Sequence, residues 1–594
     1  MKMDIHFFKK SNLKSISIII LLSIMMMLPQ IYDQSVIFGA DSIFHFNRFY
    51  DTAMQIKTGH YSYFMSLFGF NQSGRIVNAL YGPMFAYLNG LLLLISGSWF
   101  KYQVLSGILI NIVSGIGFYK LARKLGSHNE IAIGIAFLYM NTYWITSWSH
   151  SQQFTSFGAA LMPYVAMQAV GMISKRQPKI NILALAIVMA IVIQTHMLSA
   201  VFAVCLLIPF ALVGFYLTSE KYLFMRNGVA SVLLTLCLTG NVWMGFLDVS
   251  SNNKLIQPHP QTDLLSLSTN LSLDGGDSFG KLGILSSFLF ITQIVLVLQK
   301  TSLISFENKL ITIIGTLFLI ISSSLIPWNI IGDSIPALDS FLQFPFRLVV
   351  ISNILLLLSI SLTLSQIELV KNFQTVNLPI AIVSVLSIVF FTLNFQGLSG
   401  ISKSWNGDYV LSNRININFK KTNPAVIRSA FRDDNLGKPF TILQKSTPDY
   451  LPAYKDSKLW DDNNFHPYNE NIKATFFNPL KVTKSIDSHN QLILKWQGNS
   501  KKVVTLPVYK YADSKMSLNH QALDNSKVQT TVVGAVRVKQ VKGKNTFKIG
   551  YQPSRTFRYM SGLTVISWFT LIGFGAIKLF KHIRFLLTKN MVLK

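Results

Sequence analysis

The stretch GADSIFHFNR, residues 39–48, places an acid, an imidazole and a guanidinium at i, i+4 and i+7. That spacing puts Asp41, His45 and Arg48 on one face of a helix, just after the first apolar segment of the chain. A carboxylate so placed can take a proton from a hydroxyl, and an arginine can hold a phosphate. Plainer uses exist. Asp41 could cap the helix. His45 and Arg48 could form the solvated face of an amphipathic helix whose apolar side is Ile43, Phe46, Tyr50 and Met54.

Other ionisable residues also fall at the ends of apolar runs: His150 in TSWSHSQQ, His196 in QTHMLSA, and Asp333, Asp339 and Arg347 in IGDSIPALDSFLQFPFRLVV. His196 could be a tight-turn residue, and Arg347 could snorkel to lipid head groups. Pro345 and Phe346 stiffen the approach to Arg347 and aim its guanidinium, which suits phosphate. In TPDYLPAY (447–454) two prolines bracket Asp449 and Tyr450. This segment reads as an extended linker or as a lid folded back on the other residues.

The elements that must position these groups are membrane helices. Half of the 594 residues are hydrophobic and 13% are charged, and the apolar residues form runs of about 16 to 22, near the length that spans hydrocarbon as a helix. A formal charge of +28 on such a chain points to anionic lipid or polyanionic substrates. No nucleic-acid module is present, so nucleic acid is not an expected partner. Cys205 and Cys237 both lie in apolar runs, which leaves no disulfide framework. The run from Ile16 to Ile31 lacks a small-residue cleavage site and reads as a retained anchor.

Lys2, Lys9, Lys10 and Lys14 place the N-terminus in the cytoplasm. The later basic clusters (120–124, 174–179, 219–226, 299–309 and 578–589) then fit about twelve crossings with both termini inside. Tyr81–Phe100 must then be a re-entrant element, with Pro83 and Gly90 as breakers. The expected architecture is a polytopic α-helical membrane protein with a C-terminal extracytoplasmic mostly-β domain. Residues 1–395 form the membrane domain with a first outer loop at 33–80. Residues 396–558 form an outer domain whose alternation from Leu492 onward suggests a small β-sandwich. Residues 559–594 form a last span and basic tail.

The spans carry few ionisable groups away from their ends, which argues against ion-coupled transport and for chemistry at the outer interface. The motifs GADSIFHFNRFYDTAMQIKTGHY, LYGPMFAYL, KLARKLGS, QTHMLSA, LQFPFRLVV, TPDYLP and VTLPVYKY occur in one order. Together they resemble the YfhO-like bacterial membrane proteins, which overlap a family labelled 6-pyruvoyl-tetrahydropterin synthase-related. Such proteins are similar to GT-C glycosyltransferases, which take a sugar from a polyprenyl-phosphate carrier at the outer leaflet. The resemblance implies Asp41 as the essential acid of the first outer loop. His45, Arg48, His196, Arg347, Asp449 and Tyr450 are the expected substrate- or phosphate-binding residues, from their gathering at the outer ends of the apolar runs and in TPDYLPAY. Phe344–Arg347 stands for an FPWR-type motif, and Asp449 replaces the Glu of an EYLP-type motif. No cofactor is certain. The first loop has no D-x-D, which leaves the divalent metal of some GT-C enzymes open. Tyr61, Tyr63, Phe64, Phe68 and Phe70, with the re-entrant element, could form a carrier groove. The expected partners are the lipid-linked sugar, anionic lipid and a teichoic-type or other wall polymer. The competing readings are a lipid-linked sugar exporter or flippase, and a non-catalytic envelope assembly protein.

Overall fold

The computed structural model describes residues 10–174, 177–299, 302–370, 378–411, 413–453 and 467–592. Lys2, Lys9, Lys175, Arg176 and Lys300 of the charge threading, and Tyr454 at the end of TPDYLPAY, lie outside these segments.

The apolar runs are helical, but many are short or broken. Among the described residues, five helices are long and apolar enough to cross a membrane: Trp99–Lys124, Met197–Leu217, Pro345–Gln366, Leu378–Ser404 and Arg555–Lys581. A sixth span results if Lys221–Leu238 and Gly240–Ser250, bent by 64° at their junction, count as one. Asn12–Met25, Pro83–Ser96, Asn129–Met140, Ile182–Thr195 and Ile284–Gln299 are apolar but shorter. At 1.5 Å per residue, the 14 residues of Pro83–Ser96 rise about 21 Å, less than the hydrocarbon thickness. About twelve crossings is thus more than these lengths supply. The class itself is plain: a helical membrane protein with a β-rich C-terminal region.

The helix Pro345–Gln366 is central, with 94% of its apolar window buried. Its polar side chains bind neighbouring helices. Ser359 Oγ accepts from Gln293 Nε2 at 2.8 Å, Thr363 Oγ1 accepts from Asn308 Nδ2 at 2.9 Å, and Ser361 and Ser127 hydroxyls lie 2.7 Å apart. Such bonds hold helices together where apolar contact alone gives little preference for protein over lipid.

Leu378–Ser404 runs past residue 395. Beyond it the chain forms a mixed segment in which Ile417–Phe419 pairs antiparallel with Leu443–Lys445. Then follows an antiparallel sheet, in spatial order Thr483–Ile486, Leu492–Gly498, Gly543–Tyr551, Ser514–Leu518 and Gln521–Leu523. Val503–Tyr509 and Ala535–Lys539 make a separate two-stranded ribbon. Both share a core of Leu494, Trp496, Leu506, Val508, Val538 and Phe547, and the strict in–out alternation of Leu492–Gly498 supplies its inward face. Met65 and Leu67 of the first loop enter the same core. The loop after the helix Ser42–Thr58 is therefore tied to the C-terminal region, which reaches back over the residues that follow Asp41.

Candidate functional site

Asp41 stands at the N-cap of the helix Ser42–Thr58, yet its side chain makes no capping bond. Its Oδ1 instead accepts from Lys445 Nζ at 3.1 Å, and Lys445 also donates to the carbonyl of Ala40. The carboxylate is 57% exposed and the lysine 7%, so the anion lies at the lip and the cation beneath it. Surrounding protein pushes the Asp41 carboxyl up by desolvation, but the charge and hydrogen bond of Lys445, with the charge of Arg347, outweigh this and hold it below its ordinary value. The flat approach of the chain to Asp41 needs Gly39. A Cβ there would sit 1.4 Å from the Ser151 carbonyl oxygen.

His45 and Arg48 share a face with Asp41, but that face is buried rather than solvated: they are 2% and 0% exposed. The first loop and the helix Pro83–Ser96 cover it. Arg48 donates to Asn78 Oδ1 at 3.0 Å, to the Tyr81 carbonyl, and to His45 Nδ1 at 3.2 Å. Its guanidinium lies 4.5 Å from the Tyr81 ring centroid and 5.0 Å from that of Phe154. These acceptors and π-faces offset the cost of a buried cation, and burial lowers its pKa to about 10. Because arginine can only donate, His45 Nδ1 is the acceptor and the neutral ring carries its proton on Nε2. Burial, then the Arg48 charge, keeps that ring neutral. His45 stacks on Phe154 with centroids 4.8 Å apart.

Tyr81 joins these groups to His196. Its hydroxyl lies 3.4 Å from His196 Nε2, and His196 Nδ1 is 2.8 Å from Ser199 Oγ. The following residue, Gly82, has φ +75° and no room for a Cβ, which would stand 2.5 Å from the Thr195 carbonyl oxygen. That close passage lays Tyr81 against His196. His196 is itself the single extended residue between Ile182–Thr195 and Met197–Leu217.

Arg347 lies in a 3₁₀ turn, Pro345–Leu348, at the N-terminal end of the central helix. Its Nη1 donates to the Leu342 carbonyl at 2.6 Å and to Gln343 Oε1 at 3.4 Å, and its guanidinium stacks over Phe344 at 4.5 Å. The side chain is thus aimed, and its charge is felt by Asp41.

Asp449 and Tyr450 do not continue as an extended linker. Leu451 N–H bonds the Pro448 carbonyl, Tyr450 has φ +67°, and Tyr450 N–H bonds the Ile256 carbonyl at 2.8 Å. This turn sets Tyr450 6.4 Å from Tyr81, centroid to centroid. Asp449 offers its carbonyl to Arg75 Nη2 at 2.5 Å, while Asp449 Oδ1 and Arg75 Nε are both buried without a partner. Burial, with Arg75 opposing it and Asp41 adding to it, raises the Asp449 carboxyl to about 6.

His150 stays apart, with Nε2 3.3 Å from the Asn394 carbonyl, and Asp333 is exposed at the end of the helix Trp328–Ser334. Among the loop aromatics, Tyr63 and Phe64 pack against Phe557, and Phe64 also against Tyr551. Phe70 lies under Arg75. These rings build structure.

Four residues of this region escape the sequence reading: Lys445, Tyr81, Arg75 and Asp51. Nothing marks Lys445 out within a lysine-rich segment. The donor set around Asp41 does not suit a divalent cation, since its charged neighbours Lys445 and Arg347 are cations. Among the described residues no three His, Cys, Asp or Glu side chains are grouped to hold a metal.

No protein-family model matches the chain, and no curated protein matches its sequence. Among solved structures it is similar to the Archaeoglobus fulgidus oligosaccharyltransferase. It is 14% identical to that enzyme tethered to an acceptor peptide containing the NVT sequon, with a TM-score of 0.32 over 67% of this chain and 56% of that one. Against the apo form the identity is 13% and the TM-score 0.29, with the same coverage. The chain therefore spans little more than half of that enzyme's length.

Proposed function

We propose that this protein is a membrane glycosyltransferase of the GT-C type. It would take a sugar from a polyprenyl-phosphate carrier at the outer leaflet and pass it to a hydroxyl of a cell-envelope acceptor, a teichoic-type or other wall polymer. The observation that carries this reading is Asp41, an ionised, half-open carboxylate with no capping task, paired with Lys445 and within the field of Arg347. The order of YfhO-like motifs along the chain supports the same reading.

In the proposed step Asp41 accepts the proton of the acceptor hydroxyl as its oxygen attacks the anomeric carbon. The bond from that carbon to the phosphate oxygen breaks, and its electron pair leaves with the carrier phosphate. Arg347 meets that developing charge, with Lys445 close by, through charge-assisted hydrogen bonds. Tyr81 and Tyr450, with Phe154 behind them, form an aromatic wall against which a sugar ring can rest. Arg48 and His45 stiffen that wall from within. No step runs through a metal. Both termini are placed in the cytoplasm and residues 396–558 outside, as the charge threading requires.

The test is transfer of labelled sugar from polyprenyl phosphate in membranes holding wild type or Asp41→Asn. Turnover should fall about 10²- to 10⁴-fold, the range for loss of a positioned base, with the protein still folded and its thermal stability lowered only by loss of the pair with Lys445. Full activity in the variant would remove Asp41 from the chemistry, and absence of transfer by wild type would leave the exporter or assembly reading in its place.

A further inference from the structure

Two open clefts of the C-terminal region meet at Lys420. One, of about 430 Å³, is lined by Asn71, Lys420, Asn478, Lys481, Thr483 and Lys484, among others. The other, of about 470 Å³, includes Lys420, Lys421, Ser429 and Lys438 in its walls. Among the described residues neither cleft is lined by an acidic side chain or an arginine. Lys438 has an ion-pair partner, Asp433 at 2.9 Å. Lys420 instead stacks over Phe476 at 4.3 Å. Residues 396–558 as a whole hold 26 Lys and Arg against 11 Asp and Glu, so the region's field favours anions.

The floor of the first cleft is unusual. Lys484 gives its ammonium to three backbone carbonyls, those of Asn71 at 2.6 Å, Gln72 at 3.0 Å and Pro507 at 2.9 Å. These bonds clamp a turn in which Phe70, Asn71 and Gln72 all have left-handed backbones, with φ of +50°, +59° and +50°. Successive residues with side chains rarely hold that conformation, and such strain gathers at working sites. On its other side the turn touches the site, where Asn71 Oδ1 accepts from Gln444 Nε2 at 3.1 Å. Gln444 precedes Lys445, the partner of Asp41. One strained turn thus serves as cleft floor on one side and as support of the Asp41 site on the other.

We propose that this lysine-lined groove binds a linear polyphosphodiester and leads it toward Asp41. The second half of that statement rests on the glycosyl-transfer reading; the binding itself does not. A row of lysines suits such a chain. Lysine binds phosphate as a flexible point charge, without the fixed fork through which arginine selects one planar or bidentate partner. Two clefts that share Lys420 offer more than one contact along a polymer, where one phosphate would need a single closed pocket.

The experiment uses the full chain in phosphatidylcholine nanodiscs with a fluorescent glycerol phosphate oligomer as probe. Lys420→Gln with Lys481→Gln should weaken binding by about tenfold or more, and should lower the slope of log K against log salt by about two, one for each lost phosphate contact. Lys515→Gln with Lys544→Gln, equally exposed lysines elsewhere on the sheet, should leave binding as in wild type. Asp41→Asn should bind the oligomer normally while losing transfer. If wild type shows no transfer, the enzymatic reading fails and the groove stands; if Asp41→Asn keeps transfer, only the role of Asp41 fails. The groove proposal is overturned if both lysine pairs lower affinity equally, or if free glycerol phosphate or polyglutamate competes as well as the oligomer. It is also overturned if Lys420 and Lys481 are needed for phosphatidylglycerol vesicles rather than for the oligomer.

Discussion

Lys445 and Asp41, 404 positions apart in sequence, meet at 3.1 Å, and the lysine is the more deeply buried partner. The pair fixes the carboxylate's direction and lowers its proton affinity. Lys445→Met keeps the length of the side chain and removes the charge. The Asp41 pKa then rises, so the acidic limb of the kcat/KM profile should move to higher pH. Stability follows the same sign. A carboxyl depressed in the folded state stabilises above its unfolded pKa, and that contribution is lost as pH falls through the folded value. The variant should therefore lose stability relative to wild type near neutral pH and lose less in acid. Identical pH profiles for the two proteins would show that Lys445 does not act on Asp41.

Asp51, one turn beyond Arg48, is 1% exposed and accepts from Phe68 N–H at 2.7 Å, Gly69 N–H at 3.0 Å and Gln55 Nε2 at 2.8 Å. It ties the first loop to the helix. Burial raises its carboxyl to about 6 despite these donors. A carboxyl raised in the folded state supports folding below its unfolded pKa and loses that support as pH climbs through the folded value. Against Asp51→Asn, which does not titrate, wild type should thus lose on the order of 3 kcal/mol of relative stability between pH 4 and pH 7. Denaturation of both proteins across that range measures it. A constant difference would mean that the carboxyl keeps its ordinary pKa.

Helix positions were legible because apolar runs are local. The apolar run from Ile16 to Ile31, for example, falls on the helices Lys10–Met25 and Leu28–Asp33. The break at His196 was legible too, between two apolar runs, whereas the one at Asn141 divides a continuous apolar stretch. The face bearing Asp41, His45 and Arg48 was also legible from spacing alone. Its burial was not, since Asn78, Tyr81 and Phe154 arrive from elsewhere in the chain. Lys445 and Arg75 were invisible for the same reason. Each gains meaning only through a contact some 370 to 400 residues distant, Arg75 with Asp449 and Lys445 with Asp41.

The charge threading makes a direct prediction about sidedness. Ser526 is exposed on the C-terminal region, which the threading places outside. Ser526→Cys should react with a membrane-impermeant thiol reagent in intact cells, because the native Cys205 and Cys237 lie in apolar helices. Labelling that appears only after lysis would place residues 396–558 in the cytoplasm and reverse the topology.

Arg347 differs from Lys445 in how it is held, and that difference can be measured. Its guanidinium is fixed by the Leu342 carbonyl, Gln343 Oε1 and the Phe344 ring, which spend one nitrogen and one face. Among the described residues, the remaining nitrogens are left for a ligand. Arg347→Lys keeps the positive charge near Asp41 but loses the planar fork and the stacking. The acidic limb of the pH profile should therefore stay where it is in wild type, unlike that of Lys445→Met. Carrier binding should weaken instead, by roughly 10- to 100-fold, the worth of one or two charge-assisted hydrogen bonds to phosphate. The measurement is KM for polyprenyl-phosphate sugar, with kcat and the pH profile taken from the same preparation. An unchanged carrier KM would show that Arg347 does not hold the phosphate, and its part in the site would then be confined to the field it exerts on Asp41.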